Sequence, residues 1–207
     1  EEQVLFNPAE DRAYLATRQG AYQLSLEPGG RLEPFGESRQ EVRALALCEN
    51  NTDFALALKT PDSVFLYEVA QEKPSLRWKE PATNFYENSL SLMRKGNNYQ
   101  LLTGNQRQFL VYNSKAGSSE VTKRSRFLPS GQVTAVAQTL DGRYLLAGTD
   151  NGVVYQYSTN LRLISSYTGG KSSVRKIAVT PEFYLAYTNG NQLQNSKLFI
   201  SRLSDLS

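Results

Sequence analysis

The sequence predicts an all-β chain, a β-propeller of about five four-stranded blades, and its periodicity is the main reason. Aromatic-led apolar segments recur at positions 14, 54, 99, 144 and 184, giving spacings of 40, 45, 45 and 40 residues. A four-stranded propeller blade repeats at roughly 40–45 residues. Each segment is followed by a turn rich in Gly, Asn, Asp or Pro and then by a second apolar run, the pattern of a β-hairpin. No stretch sustains the three-and-four spacing of an amphipathic helix.

The elements follow in order. In the first blade, 1–40, Val4-Leu5-Phe6 is a short inner strand, and Tyr14-Leu15-Ala16-Thr17 turns at Gly20 into Ala21-Tyr22-Gln23-Leu24. The second, 41–82, opens on Val42 to Leu47, whose small and branched side chains suit packing near a central axis. Phe54-Ala55-Leu56-Ala57 then turns at Pro61-Asp62 into Val64-Phe65-Leu66-Tyr67, and Ser75 to Trp78 is an outer strand. The third, 83–130, pairs Tyr99-Gln100-Leu101-Leu102 with Phe109-Leu110-Val111-Tyr112 across Gly104-Asn105. The fourth, 131–172, runs from the inner strand Val133 to Ala137, through a hairpin turning at Asp150-Asn151-Gly152, to the outer strand Leu163 to Tyr167. The fifth, 173–207, has an inner strand Val174 to Val179 and a hairpin from Tyr184 to Ile200, turning at Asn189-Gly190-Asn191. Its third strand ends near Leu203 and leaves no room for a fourth.

The stretch Asp141-Gly142-Arg143-Tyr144-Leu145-Leu146-Ala147-Gly148-Thr149-Asp150-Asn151-Gly152-Val153-Val154-Tyr155-Gln156-Tyr157 resembles the central hairpin of WD-repeat proteins, and the likeness extends more weakly along the other repeats. The Gly-His pair of that family is absent, and its Trp-Asp pair is replaced by Tyr67-Glu68, Tyr112-Asn113 and Tyr157-Ser158. What the resemblance implies is a propeller that scaffolds a multiprotein complex or serves as a sensor domain of a larger signalling protein. With no strand to spare before Val4, either five blades form an open ring or they belong to a larger ring of about seven or eight, completed by upstream blades or by another chain. The larger ring is preferred, because an open sheet edge invites unwanted pairing.

Function is bounded first by what is missing. The 207 residues contain no histidine, the usual general base, metal ligand and near-neutral switch. An enzyme is therefore not expected, nor is a cofactor or a metal. Cys48 is the only cysteine, which rules out an intrachain disulfide and suits a reducing, cytoplasmic compartment. No run approaches the roughly 18 apolar residues of a membrane helix, and Glu1-Glu2-Gln3 lacks the layout of a signal peptide.

Local motifs are weak. Gly169-Gly170-Lys171-Ser172 is like the end of a phosphate loop, but Ser165 stands where the earlier glycine belongs and no helix follows. Ser173-Val174-Arg175-Lys176 has the spacing of a serine–lysine acylase, yet a strand puts residues three apart on opposite faces. Glu10-Asp11 is explained by a solvated turn, and Asn50-Asn51-Thr52 is a glycosylation triplet at odds with the expected compartment.

Charge is uneven. Residues 1–50 carry nine acids against five arginines, whereas Thr83 to Ser130 carry seven bases against two acids. Candidate partner contacts, on loops next to the inner strands, are Arg43, Arg94, Lys95, Lys171, Arg175 and Lys176. Lys115, Lys123, Arg124 and Arg126 form a basic cluster for an acidic partner or a phosphate group; with only Tyr112 and Phe127 nearby to stack, nucleic acid is not expected. The function that follows is a non-catalytic protein-interaction scaffold or sensor propeller. Its competitors are a small-molecule-binding or hydrolytic propeller using the central depression, and a structural part-propeller completed by another chain.

Overall fold

The computed structural model describes residues 3–7, 9–36, 40–50, 53–70, 73–83, 86, 89–190 and 196–204, and among them every regular element is a strand. Five antiparallel sheets follow one another along the chain. The first holds β1 (Gln3–Phe6), β2 (Arg12–Thr17), β3 (Gly20–Ser25) and β4 (Leu32–Pro34). The second holds β5 (Ala44–Asn50), β6 (Asp53–Lys59), β7 (Ser63–Ala70) and β8 (Lys73–Pro81). In the third are β9 (Leu90–Lys95), β10 (Asn98–Asn105), β11 (Gln108–Lys115) and β12 (Val121–Phe127). The fourth has β13 (Val133–Gln138), β14 (Tyr144–Thr149), β15 (Val153–Ser158) and β16 (Leu163–Thr168). The fifth has three strands, β17 (Val174–Val179), β18 (Tyr184–Asn189) and β19 (Lys197–Arg202).

Within each sheet the strands pair in chain order, so each sheet is an up-and-down meander. The first strands β1, β5, β9, β13 and β17 pack against one another in sequence, which places them innermost and makes each sheet a blade. Because alternate strands run in opposite directions, the turn between second and third strands and the link to the next blade share one face. The other two turns of each blade lie on the opposite face.

Alternation along the strands supplies each central blade with two apolar sides. On blade 2, Phe54, Leu56 and Leu58 join Tyr14 and Phe35 of blade 1, while Ala55, Ala57 and Leu66 join Leu101 and Tyr112 of blade 3. The same division continues with Leu102 and Val111 against Leu145 and Tyr157, then Tyr144 and Leu146 against Leu185 and Tyr187. Each apolar core cluster among the described residues therefore straddles a boundary between neighbouring blades. No such cluster joins blade 5 to blade 1 among those residues, so the five blades form an open arc.

Polar side chains tie the same boundaries. The Gln3 amide donates to the Leu45 carbonyl at 3.0 Å and accepts the Leu45 N–H at 2.8 Å. Trp78 Nε1 donates to Ser114 Oγ at 3.0 Å, and the Tyr112 hydroxyl donates to the Pro81 carbonyl at 2.9 Å. Gln138 Nε2 reaches Ser91 Oγ at 3.1 Å, and Thr134 Oγ1 donates to the Val174 carbonyl at 2.7 Å. These bonds occupy buried or half-buried polar groups that would otherwise be costly to desolvate. Close approach matters too: a Cβ added at Gly148 would come within 2.6 Å of Val174 Cγ1 across the boundary between blades 4 and 5.

Candidate interaction surface

The turns that form the two faces are locked by their own side chains. Thr60 Oγ1 donates to Asp62 Oδ1 at 2.8 Å and accepts the Ser63 N–H at 3.1 Å. Thr149 repeats the device in blade 4, donating to Asn151 Oδ1 at 2.5 Å and accepting the Val153 N–H at 3.1 Å. On the opposite face, Thr139 Oγ1 donates to Asp141 Oδ1 at 2.6 Å and accepts the Tyr144 N–H at 3.1 Å. Such local bonds favour turns and hold them rigid enough to present a fixed surface.

The ten basic candidates do not gather at one place. Arg43 precedes β5 on the face with the inter-blade links; its guanidinium pairs with Glu41 at 3.0 Å, and its backbone N–H donates to the Lys59 carbonyl at 2.8 Å. Lys171 is exposed on the link between β16 and β17. Arg175 and Lys176 lie within β17 rather than on a loop, and Arg175 Nε donates to the Gly190 carbonyl at 2.7 Å. Lys171, Arg175 and Lys176 thus sit at blade 5, with blades 3 and 4 between them and Arg43.

Arg94 and Lys95 close β9 at the opposite face, again within a strand. Lys115 ends β11, while Lys123, Arg124 and Arg126 are exposed along the outer strand β12. Register divides this rim cluster: Lys123 lies opposite Tyr112, with its Nζ 5.6 Å from the ring centroid, while Arg124 and Arg126 pair with Val111 and Phe109 on the alternate side. An exposed edge strand carrying charges resists pairing with other chains, which accounts for β12 without a ligand.

The boundary between blades 3 and 4 carries a basic pair, Lys95 and Arg143, the second of which sequence reasoning missed, whereas Arg94, opposite Tyr99 in register, turns toward blade 2. Arg143 stands in the turn before β14, its guanidinium paired with Asp141 and stacked over Phe183 at 4.8 Å and Tyr144 at 5.6 Å. Across the boundary between blades 3 and 4, Lys95 Nζ reaches the Asp141 carbonyl at 3.4 Å. Arg94 stacks on Tyr99 at 5.6 Å and donates through Nε to the Gly96 carbonyl at 2.8 Å, while its Nη1 is buried without a hydrogen-bond partner. The signal was present in Asp141-Gly142-Arg143, a turn sequence whose arginine became notable only when the fold set it beside Lys95.

Burial governs the electrostatics. It raises the Asp141 carboxyl, but the bonds from Thr139 and Arg143 outweigh it and hold the group below its ordinary range. Lys59 is fully buried, and desolvation, with a smaller contribution from the Arg43 charge, lowers its ammonium to about 7. Burial likewise raises the Cys48 thiol to about 12, leaving it a poor nucleophile at neutral pH. Among the described residues no three acidic or thiol groups converge as a metal would require. Glu10 and Asp11 form a turn in which Asp11 accepts from Asn7 at 2.7 Å. Residues 169–172 form an inter-blade link, and of the glycosylation triplet, Asn51, Thr52 and the Asn50 side chain lie outside what is described.

No protein-family model matches the chain, and no curated protein matches it. Solved structures do. The β-propeller domain of Cps50 (Swd1) from Myceliophteria thermophila is 17% identical with a TM-score of 0.73, the match covering 99% of this chain and 67% of that one. The computationally designed Ika8 protein is 10% identical with a TM-score of 0.62, covering 97% of this chain and 57% of that one, so the present chain spans little more than half of Ika8. At these identities the likeness establishes the fold alone: the chain is a five-bladed stretch of β-propeller with WD-repeat-like blades.

Proposed function

We propose that the protein is a non-catalytic interaction scaffold in which the opposite face of blades 3 and 4 receives an acidic segment of a protein partner. The observation that carries this reading is the convergence of Lys95 and Arg143, cations of neighbouring blades, on the Asp141 turn. Lys95, held by a backbone bond, and Arg143, held by stacking and its pair with Asp141, are preorganised, so little side-chain entropy is lost on binding. Complementary charge of this kind sets association rate and specificity. The structural likeness to the Cps50 (Swd1) propeller domain supports a binding role over a catalytic one, and the single hindered thiol accords with a reducing, cytoplasmic setting.

The test is quantitative crosslinking of the purified protein in cell extract, comparing wild type with the double variant Lys95→Glu, Arg143→Glu. The reading expects the recovered partner to fall about tenfold, as the loss of close charge pairs implies. Lys123→Glu with Arg124→Glu, on the rim, leaves recovery unchanged. Equal recovery by wild type and the Lys95, Arg143 variant, or loss only with the rim variant, rejects it.

A further inference from the structure

The turn that carries Asp141 also sets an apolar side chain beside Lys95 and Arg143. The Gly142 N–H closes it on the Thr139 carbonyl at 2.8 Å, and Asp141 Oδ1 accepts from Thr139 Oγ1 at 2.6 Å and from the Arg143 backbone N–H at 3.0 Å. So fixed, the turn holds its tip outward: Leu140 is 74% exposed, more than any other large apolar residue among those described. The fold does not require leucine there. The corresponding turn of blade 5, closed by the Phe183 N–H on the Thr180 carbonyl at 3.0 Å, has Pro181 at that position, where a fixed φ favours the turn. Between β9 and β10 the turn is made by Gly96 and Asn97. Leu140 contributes neither a turn preference nor buried surface to the folded chain. Its surroundings continue the apolar character across the boundary with blade 3. A Cβ added at Gly142 would lie 3.4 Å from Met93 Sδ and 3.6 Å from Lys95 Cδ, so Met93 and the aliphatic stem of Lys95 stand against the same turn. Both side chains adapt readily to an apolar partner.

Charge alone is too weak to hold a partner at this place. The Asp141 carboxylate pairs with Arg143 and so offsets one of the two positive charges. Exposed ion pairs contribute little once salt screens them, whereas covering a leucine side chain contributes more. We propose that the occupant of this face is a segment of a partner protein in which a carboxylate lies next to a large apolar side chain. The carboxylate reaches Lys95 and Arg143, and the apolar side chain covers Leu140. This inference rests on the acidic-partner reading and narrows it: the cations steer and orient the segment, and Leu140 supplies the affinity. A purely acidic segment would leave Leu140 in water. A purely apolar one would strip water from Lys95, Asp141 and Arg143 without replacing its hydrogen bonds.

Short random peptides displayed on phage, selected against the immobilised full chain, are the probe. Wild type is expected to enrich peptides in which Asp or Glu stands close to a large aliphatic or aromatic residue. Such a peptide, followed by fluorescence anisotropy, binds Leu140→Asn about tenfold more weakly, the loss of one partly covered leucine contact. It binds the Lys95→Glu, Arg143→Glu variant at least as weakly. Asparagine suits a turn, so the urea midpoint of Leu140→Asn stays at the wild-type value, and Leu140→Phe, which returns apolar surface, restores binding. Replacing the apolar residue of the peptide by Ser costs about tenfold against wild type and little against Leu140→Asn, as two groups in contact require. Acidic peptides that need Lys95 and Arg143 but bind Leu140→Asn like wild type overturn this inference and leave the acidic-partner reading standing. Enrichment of no acidic peptide that depends on Lys95 and Arg143 overturns both. A dimer in sedimentation that Leu140→Asn abolishes gives the face to a second copy and overturns the inference as well.

Discussion

At the residue scale, burial decides what each aromatic or charged side chain contributes. Tyr144 is 1% exposed and packs in the cluster between blades 4 and 5, whereas Tyr184 heads the second strand of the next blade and is 46% exposed. Tyr144→Ala is expected to cost about 3 kcal/mol through a cavity that the boundary cannot close, and Tyr184→Ala less than about 1 kcal/mol. Urea denaturation midpoints of the two variants check the contrast. Lys59 offers a pH test. Its folded pKa, about 7, lies below its ordinary value, so between the two the unfolded chain binds the extra proton. Stability therefore rises as pH climbs from about 7 to about 9. Above that Cys48, and then Tyr99 and Tyr157, all raised to about 12 by burial first, reverse the trend, because the unfolded chain loses their protons sooner. Denaturation midpoints of wild type should increase from about pH 7 to about pH 8.5, and Lys59→Met should flatten that slope. An equal slope in both would show that Lys59 keeps an ordinary pKa.

At the scale of the strand and blade, the clamp on the last segment is the most testable feature. Gln156 Nε2 donates to the Ser204 carbonyl at 2.7 Å, and the Ser204 N–H reaches Gln156 Oε1 at 3.1 Å and the Tyr167 hydroxyl at 2.8 Å. Gln156→Leu removes the amide and is expected to destabilise blade 5 by about 1–3 kcal/mol. Amide exchange at Ser204 should speed accordingly, with exchange in blade 2 unaffected. The strands themselves were legible in the sequence because alternation and turn chemistry are local: Asp150-Asn151-Gly152 turns as expected, and Val174–Val179 is the inner strand anticipated for it. The side to which each anchor points was not legible. Tyr14 and Tyr144 face the following blade, but Phe54 and Tyr99 face the preceding one, since a shift of one residue within a strand reverses its sides. The basic surface was obscure for the same reason. Arg43 and Arg175 look alike in sequence, yet blades 3 and 4 separate them, whereas Lys95 and the Asp141 turn, 46 positions apart, touch.

At the scale of the whole arc, stability should follow from nearest neighbours, because among the described residues each blade packs chiefly against those beside it. Blades 2, 3 and 4 are covered on both sides, while blades 1 and 5 are covered on one. Blade 5 is the weaker end: it has three strands, and Leu198 and Ile200 of its last strand stand more than half exposed. Blade 1 keeps four strands and the two-way amide bond from Gln3 to Leu45. Native-state hydrogen exchange of the chain should therefore show a gradient, with the slowest amides in β10 and β11 of the central blade and the fastest strand amides in β18 and β19. Opening free energies are expected to differ by about 2–4 kcal/mol between these extremes, the range over which sub-global openings depart from global unfolding. If β18 and β19 exchange as slowly as β10 and β11, something covers the end of the arc in the isolated chain, and unfolding is not propagated blade by blade. If the central blade exchanges as fast as the ends, the arc opens as a single unit and the boundary clusters do not act as separable interfaces.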